Sequence, residues 1–366
     1  MKKALFILIL ISLTHIALGR TWELCLSCPE SNLNALVARV ANKDTILILK
    51  GEYRGGPYFI DKPITVLGKD YPVFRGSGDH EIFVLQAPGI IMEGIQIENV
   101  RPNYLKDLAA IRVEKVQDVE LRNLRIIKCF FGIYLEHCGG GIIENNFISG
   151  DASDEASSGN AIHAWYCKNL TIRKNDLSNH RDGIYFEFVD SSRISHNVSY
   201  NNLRYGLHFM FSNDDAYQHN QFKRNGAGVA VMFSKRILMH SNLFEQNWGS
   251  ASYGLLLKEI YDGDIRENVF RENSIAIHVE GSSRIQYLHN QFVRNGWAIR
   301  MTGGCMTNEI TRNNFFSNTM DMLMHGRMND NSFDQNYWSS YTGYDMDRDG
   351  IGDVPYRPVK LFAYLM

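Results

Sequence analysis

The sequence predicts an all-β fold: a right-handed parallel β-helix solenoid with a short N-terminal capping helix. Three observations point there. First, the blocks NNFISG, NDLSNH, NVSYNN, NQFKRN, NLFEQN, NVFREN, NQFVRN, NNFFSN and NSFDQN recur, and their first Asn residues (Asn145 to Asn331) are spaced 30, 22, 23, 22, 26, 22, 23 and 18 apart. Self-similarity near 22 residues marks a solenoid, in which each repeat buries its apolar face only against its neighbours. Second, a companion block recurs with the same period: GIYLEHC (Gly132), AIHAWYC (Ala161), GIYFEFV (Gly183), GLHFMFS (Gly206), GVAVMFS (Gly228), GLLLKEI (Gly254), AIHVEGS (Ala276) and AIRMTGG (Ala298). Large apolar residues recur in most of these at alternate positions, a strand period rather than a helical one. Third, Asn and Gly fall between the strands, and Asn suits corners because it tolerates left-handed backbone and bonds locally. The Leu/Asn consensus of a leucine-rich repeat does not fit these blocks.

The chain then divides in order. Residues 1–19 (MKKALFILILISLTHIALG) carry two lysines, an apolar run and a small-x-small site at Ala17-Leu18-Gly19, which predicts a secretory signal peptide and export to the periplasm. No Cys stands at the cleavage point, which argues against a lipoprotein anchor, and no other apolar run is long enough for a direct membrane span. Residues 20–58 are expected to cap the solenoid. Ser31 is the expected helix N-cap, and Leu33, Leu36, Val37 and Val40 form one apolar helix face. Residues 59–336 are expected to be coils, interrupted by the polar insert SGDASDEASSG from Ser149 to Gly159. Residues 337–366 form a C-terminal tail of different character. The formal charge is −2, and becomes −4 once Lys2 and Lys3 are removed; that balance argues against nucleic acid as a partner.

Strand alternation aims two positions of each companion block outward, the second and fourth after the small residue. Successive coils stack about 4.8 Å apart, so these positions form ladders. One is Tyr134, His163, Tyr185, His208, Ala230, Leu256, His278 and Arg300; the other is Glu136, Trp165, Glu187, Met210, Met232, Lys258, Glu280 and Thr302. Trp, Met and Leu beside imidazoles predict a face covered by a partner, with Tyr134, Trp165, Tyr185, Glu187 and His278 as partner-binding residues. His163, His208, Met210 and Met232 offer imidazole and thioether donors, the set that suits Cu(I). A second methionine cluster (Met320, Met322, Met324, His325 and Met328) alternates like one strand face, and core packing is its expected role.

Cys138 and Cys167 occupy the same position of adjacent coils, so a disulfide or at least close contact is expected. Cys25-Leu-Ser-Cys28 reads as a local disulfide in an exported chain, whereas Cys129 and Cys305 have no visible partner. In the tail, Asp345, Asp347, Asp349 and Asp353 take positions 1, 3, 5 and 9 of a calcium-type loop with Gly350 at position 6. Position 12 is Tyr356, so the closing carboxylate is missing; a solvated acidic turn and a calcium site both remain open.

The blocks HAWYCKN, HRDGIYFEF, LRYGLHFMFS, GAGVAVMFS and SYGLLLKEI, with the tail NYWSSYTGYDMDRDGIGDVPYRPV, resemble the NosD family of periplasmic β-helix proteins across nearly the whole mature chain. The resemblance implies a non-catalytic accessory protein that works with the membrane subunit of an ABC transporter. It further implies contacts with a copper-donating lipoprotein and with nitrous oxide reductase, whose copper–sulfur centre it would help assemble. It brings no copper ligand set to these positions. The rival expectation is a polysaccharide lyase or epimerase, for which Asp182, Tyr185, Glu187, Lys258 and Arg300 could be recruited.

Overall fold

The computed structural model describes residues 19–103, 105–249, 252–324 and 330–358. Residues 1–18 of the expected signal peptide (residues 1–19), His325 and Met328 lie outside these described residues. Each coil gives one short strand to each of three parallel sheets of 14, 13 and 12 strands, referred to below as the first, second and third sheets in the order the chain visits them. Thr171–Arg173, Asp176–Ser178 and Asp182–Glu187 make one regular coil. They pair in register with Arg193–Ser195, Val198–Tyr200 and Tyr205–Met210 of the next. Such parallel ladders bury their inner face, which explains the near-continuous apolar interior, including Ile184, Phe186, Leu207 and Phe209 at 0 % exposure.

The N-terminal helix spans Leu33–Arg39 and buries Leu33, Leu36 and Val37. Its N-cap is Asn32 rather than Ser31: the Asn32 carboxamide oxygen accepts the Ala35 N–H at 3.1 Å. The helix also covers the open third sheet. Asn34 donates to Pro57 O and accepts the Phe59 N–H, at 3.1 and 3.0 Å, satisfying an edge that would otherwise invite pairing. At the other helix end, Lys62 Nζ reaches the carbonyls of Val37, Ala38 and Val40 at 2.8 to 2.9 Å, where a cation meets the negative end of the helix dipole. The coils begin inside the segment expected to be a cap. Thr45–Ile48 and Glu52–Arg54 already pair with Thr65–Gly68 and Val73–Arg75, and Thr21–Leu24 adds to the first of these.

The corners bear out part of the expected role of asparagine, with left-handed backbone at Asn123, Asn145, Asn169, Asn179 and Asn201, and add another. Left-handed backbone falls mainly on the residue before the repeated Asn, at Lys174, His196, His219, Ser241, Glu267, His289 and Arg312 (φ between 55° and 58°). The Asn that follows is buried and does something else. Asn146, Asn175, Asn197, Asn220, Asn242, Asn268, Asn290 and Asn313 form a chain that ends on Asn336. From Asn175 onward each Asn oxygen accepts both the N–H and the side-chain amide of the residue one coil earlier, at 2.8 to 3.2 Å. Asn331 belongs to another rung, accepting from Asn308, which removes the anomalous final spacing of 18. A second ladder runs through Asn202, Asn225, Asn247, Asn273 and Asn295 to Asn318 at the next corner.

Inside, Phe222, Phe244, Phe270, Phe292, Phe315 and Trp338 stack with ring centroids 4.1 to 5.5 Å apart. The tail closes this column, with Tyr356 on Trp338 at 5.2 Å. Met322 and Met324 lie in the core, as their spacing predicts. Asn242→Ala would strand the Asn220 amide groups and the Tyr217 carbonyl that Asn242 satisfies. The expected loss is about 3 kcal/mol in local opening free energy, read by hydrogen exchange of the flanking coils.

Candidate functional site

The outer face of the third sheet carries both predicted ladders. Tyr134 clusters with Ala109 and Phe131 apart from the main core, as an outer-face residue should. The ladder is nevertheless not bare: Tyr134, His163, His208 and His278 are only 6 to 9 % exposed. Their rings cover one another. His163 is sandwiched between Tyr134 and Tyr185 at 4.3 and 4.7 Å, and Tyr185 meets His208 edge-on at 5.1 Å. The second ladder (Trp165, Glu187, Met210, Met232) is half-buried.

The structure brings three of the four copper candidates together. Met210 pairs in register with Met232, and His208 lies two residues before Met210 on the same face. His163 stands two coils away, with Tyr185 between; its Nδ1 is held by the Asn160 carboxamide at 3.0 Å. It does not join the set. His208 Nε2 is buried without a hydrogen-bond partner, and burial holds the imidazole down at about 4, so it is neutral near neutral pH with a nitrogen to spare. Arg204 lies 3.4 Å from the other ring nitrogen, but its charge is spent on a bidentate pair with fully buried Asp182 (3.0 and 2.5 Å). A neutral imidazole beside two thioethers fits a soft cation.

One column escaped sequence reasoning. The fifth position after the small residue, just past the predicted ladders, holds His137, Tyr166, Phe188, Phe211 and Phe233. These rings stack at 4.6 to 5.2 Å with interplanar angles of 11 to 17°. Tyr166, Phe211 and Phe233 are 40 to 46 % exposed. All four of Tyr166, Phe188, Phe211 and Phe233 have left-handed backbone (φ 50 to 54°), where a bulky residue is disfavoured. Later coils meet the same need with Gly281 and Gly303. The aromatic residues therefore carry about 1 kcal/mol of strain each that glycine avoids. They border a groove of about 720 Å³ that also includes Asp190, Lys235 and Glu259. The signal was in the sequence: four aromatic residues in succession at one repeat position.

The remaining sites sort simply. Cys25 and Cys28 form a disulfide with Cα atoms 5.0 Å apart. Cys138 and Cys167 are free and buried, so the disulfide alternative is not met while the contact is. The Cys138 N–H points at Cys167 Sγ (3.4 Å), the two thiols lie close enough to hydrogen-bond, and each also reaches a carbonyl, Glu136 O at 3.2 Å and Trp165 O at 3.3 Å. In the tail, carboxylate oxygens of Asp345, Asp347 and Asp349 come within 4.8 Å of one another, all exposed. Asp353 does not join them; it accepts the Met346 N–H at 2.8 Å. Binding through one oxygen each, three such side chains would leave half or more of the six to eight positions that calcium takes to other oxygens.

Burial also holds His163 down, to about 3. A folded value below the unfolded one means that protons favour the unfolded chain. The contribution of both imidazoles is complete above about 6.5 and falls away as pH drops toward 4 and below. Asp215, pushed up by burial to about 8, acts in the opposite sense, so the comparison must be with a variant. His208→Gln is expected to flatten the decline in urea midpoint between pH 7 and pH 5 relative to the parent chain.

A sequence model for the family described as "Periplasmic copper-binding protein (NosD)" matches residues 144–343. A "Probable ABC transporter binding protein NosD" of Pseudomonas aeruginosa is 29% identical over 335 residues, covering 84% of this chain and 75% of that one. The protein of the same description from Stutzerimonas stutzeri is 26% identical over 328 residues, covering 84% and 74%. Among solved structures, the catalytic unit of an α-1,3-glucanase from Streptomyces thermodiastaticus superposes with a TM-score of 0.69 at 13% identity, over 83% of this chain and 65% of that one. The A-module of an Azotobacter vinelandii mannuronan C-5 epimerase, AlgE6, gives 0.60 at 13% identity, over 83% and 94%. Those two likenesses concern the fold alone. No helix among the described residues is long and apolar enough to cross a membrane. By the family match over more than half of its length, the chain belongs to the NosD family of periplasmic copper-binding proteins.

Proposed function

We propose that this protein is a non-catalytic periplasmic scaffold that docks the membrane subunit of an ABC transporter. On this reading it takes copper from a copper-donating lipoprotein and presents it, or the apoprotein, during assembly of the copper–sulfur centre of nitrous oxide reductase. The observation that carries the docking role is the exposed ring column Tyr166–Phe188–Phe211–Phe233, kept where glycine would be easier on the backbone. Trp165, Met210 and Met232 flank it one position away, so aromatic and thioether groups form one strip. The rings stack face to face, which leaves their edges for a partner; that favours an apolar protein surface over a sugar, which needs ring faces. Copper is cargo here. His208, Met210 and Met232 would hold it, and Arg204 would keep the imidazole in place through its pair with Asp182.

Of the residues that a lyase or epimerase would recruit, all but Arg300, whose Nε is buried without a hydrogen bond, are engaged elsewhere. Asp182 is locked to Arg204, the Tyr185 hydroxyl is pushed up to about 12 by burial and contacts Glu187, and Lys258 pairs with Glu280 at 3.3 Å. Turnover of uronate polymers by the pure protein would revive that reading.

Two results test the proposal. Phe188→Ser/Phe211→Ser is expected to abolish co-purification with the transporter subunit while leaving the thermal melt within a few degrees of the parent. His208→Ala/Met210→Ala/Met232→Ala is expected to weaken Cu(I) binding at this face by tenfold or more, measured by chelator competition. Undiminished capture by the first variant would remove the docking role, and unchanged affinity in the second would remove this ligand set.

A further inference from the structure

The second asparagine ladder ends abruptly, and what stands at its end resembles a site. At this corner a residue with left-handed backbone precedes each buried rung: Asn201 before Asn202, Arg224 before Asn225, Gln246 before Asn247. Upstream, Asn179 (φ 57°) precedes His180, which takes the rung position and donates its N–H to the Asn202 oxygen at 3.1 Å. Two coils earlier, Lys128 (φ 52°) precedes Cys129, again in the rung position. The coil between them should supply a rung near Asp151, since Ile127 pairs with the residue next to Gly150 and that residue in turn pairs with Ser178. There the chain departs into the polar insert, and Asp151 is exposed. One rung is missing.

The gap is a cavity of about 200 Å³ lined by Cys129, Phe130, Asp151, Ser157, Ser158 and His180. His180 is 2 % exposed and Cys129 likewise. In the intact ladder every rung N–H finds an oxygen in the next coil; here the His180 imidazole lies by the Gly159 and Phe130 carbonyls, and its Nε2 is buried with no hydrogen bond. The Cys129 thiol meets backbone groups alone, Ile127 O at 3.5 Å, Ile97 O at 4.0 Å and the backbone of Asn99 and Val100. Arg181 lines the adjoining cavity with His163 and does not line this one. A buried nitrogen and a buried sulfur therefore share one void, with no cation along its walls.

We propose that Cys129 Sγ and His180 Nε2 bind Cu(I) across this gap. Two soft or borderline donors suit a d¹⁰ monovalent ion, which accepts two ligands, whereas hard divalent ions want several oxygens. The charge balance suits burial. Cu(I) binds the thiolate as the thiol proton leaves to solvent, and the imidazole stays neutral, so a neutral assembly replaces a neutral thiol. The insert Ser149–Gly159 forms the wall over the void, which gives that departure from the repeat a purpose. The inference rests on the copper-handling reading above and adds to it a buried site on the second corner, separate from the exposed face.

The test uses the full mature chain titrated with Cu(I) against a chromophoric chelator, with X-ray absorption of the one-equivalent form. Cys129→Ala and His180→Asn are each expected to lose the same copper equivalent, with affinity falling at least 100-fold. His180→Asn extends the existing ladder and so should keep the fold, checked by its melt. Met210→Leu/Met232→Leu is expected to retain the site, whose absorption fits one sulfur and one nitrogen with one proton released per copper. Full retention by Cys129→Ala and His180→Asn would overturn the inference; if the Met210/Met232 and His208 variants then lost the copper, the exposed-face reading would stand. A parent chain that takes up no Cu(I) yet still co-purifies with the transporter subunit would overturn both copper sites and leave only docking.

Discussion

The structure depends on the satisfaction of corner polar groups by the next coil. A three-sheet solenoid must turn the chain sharply at every coil, and each turn buries an amide that no strand can reach. The asparagine oxygens meet that need by accepting two donors from the coil before, while the asparagine amide donates onward and back. Because a buried unpaired amide costs on the order of 1–3 kcal/mol, each coil holds its neighbour in register. The aromatic stack from Phe222 to Trp338 adds shape to the same axis but does not carry that polar burden. A rigid spindle results, and its outer wall is a fixed grid.

That grid explains how much of the molecule was legible in the sequence. The alternation in GIYFEFV and GLHFMFS placed Ile184, Phe186, Leu207 and Phe209 in the core, because alternation decides which face a strand residue takes. The Asn blocks marked the corners, but left-handed backbone, seen at Asn145, Asn179 and Asn201, was only part of the reason for Asn there. Propensity for left-handed backbone is a local property, while the amide ladder is a relation between residues some 22 apart that appears only once the coils are stacked. The same limit applied at the third-sheet face. Alternation correctly set Tyr134, His163 and His208 on the outer side, yet it could not say that rings one coil apart would shield each other to below a tenth exposed.

The candidate sites were less legible than the fold for a related reason. His208, Met210 and Met232 were found because they share a face at strand spacing, but His163 was admitted on the same rule although a tyrosine coil intervenes. Cys138 and Cys167 illustrate the difference between proximity and a covalent bond: register brought the thiols side by side, and they remain free thiols that also reach local carbonyls. The ring column from Tyr166 to Phe233 was passed over because it lies at a turn, where bulky residues are least expected. Cys129 and His180 come together through a missing rung in a ladder that sequence alone did not reveal.

The stacked rings also have a crystallographer's consequence: translation along the spindle axis by one coil maps ring onto ring. A surface that repeats this way does not by itself tell a visitor where to stop, and an apolar ligand could settle in several positions one step apart. The interruptions then act as stops, with Glu259 and its hydroxyl neighbour Tyr261 ending the column on one side and His137 on the other. Between those ends the wall behaves as a short ruler of fixed length, and whatever grips it must be about that long.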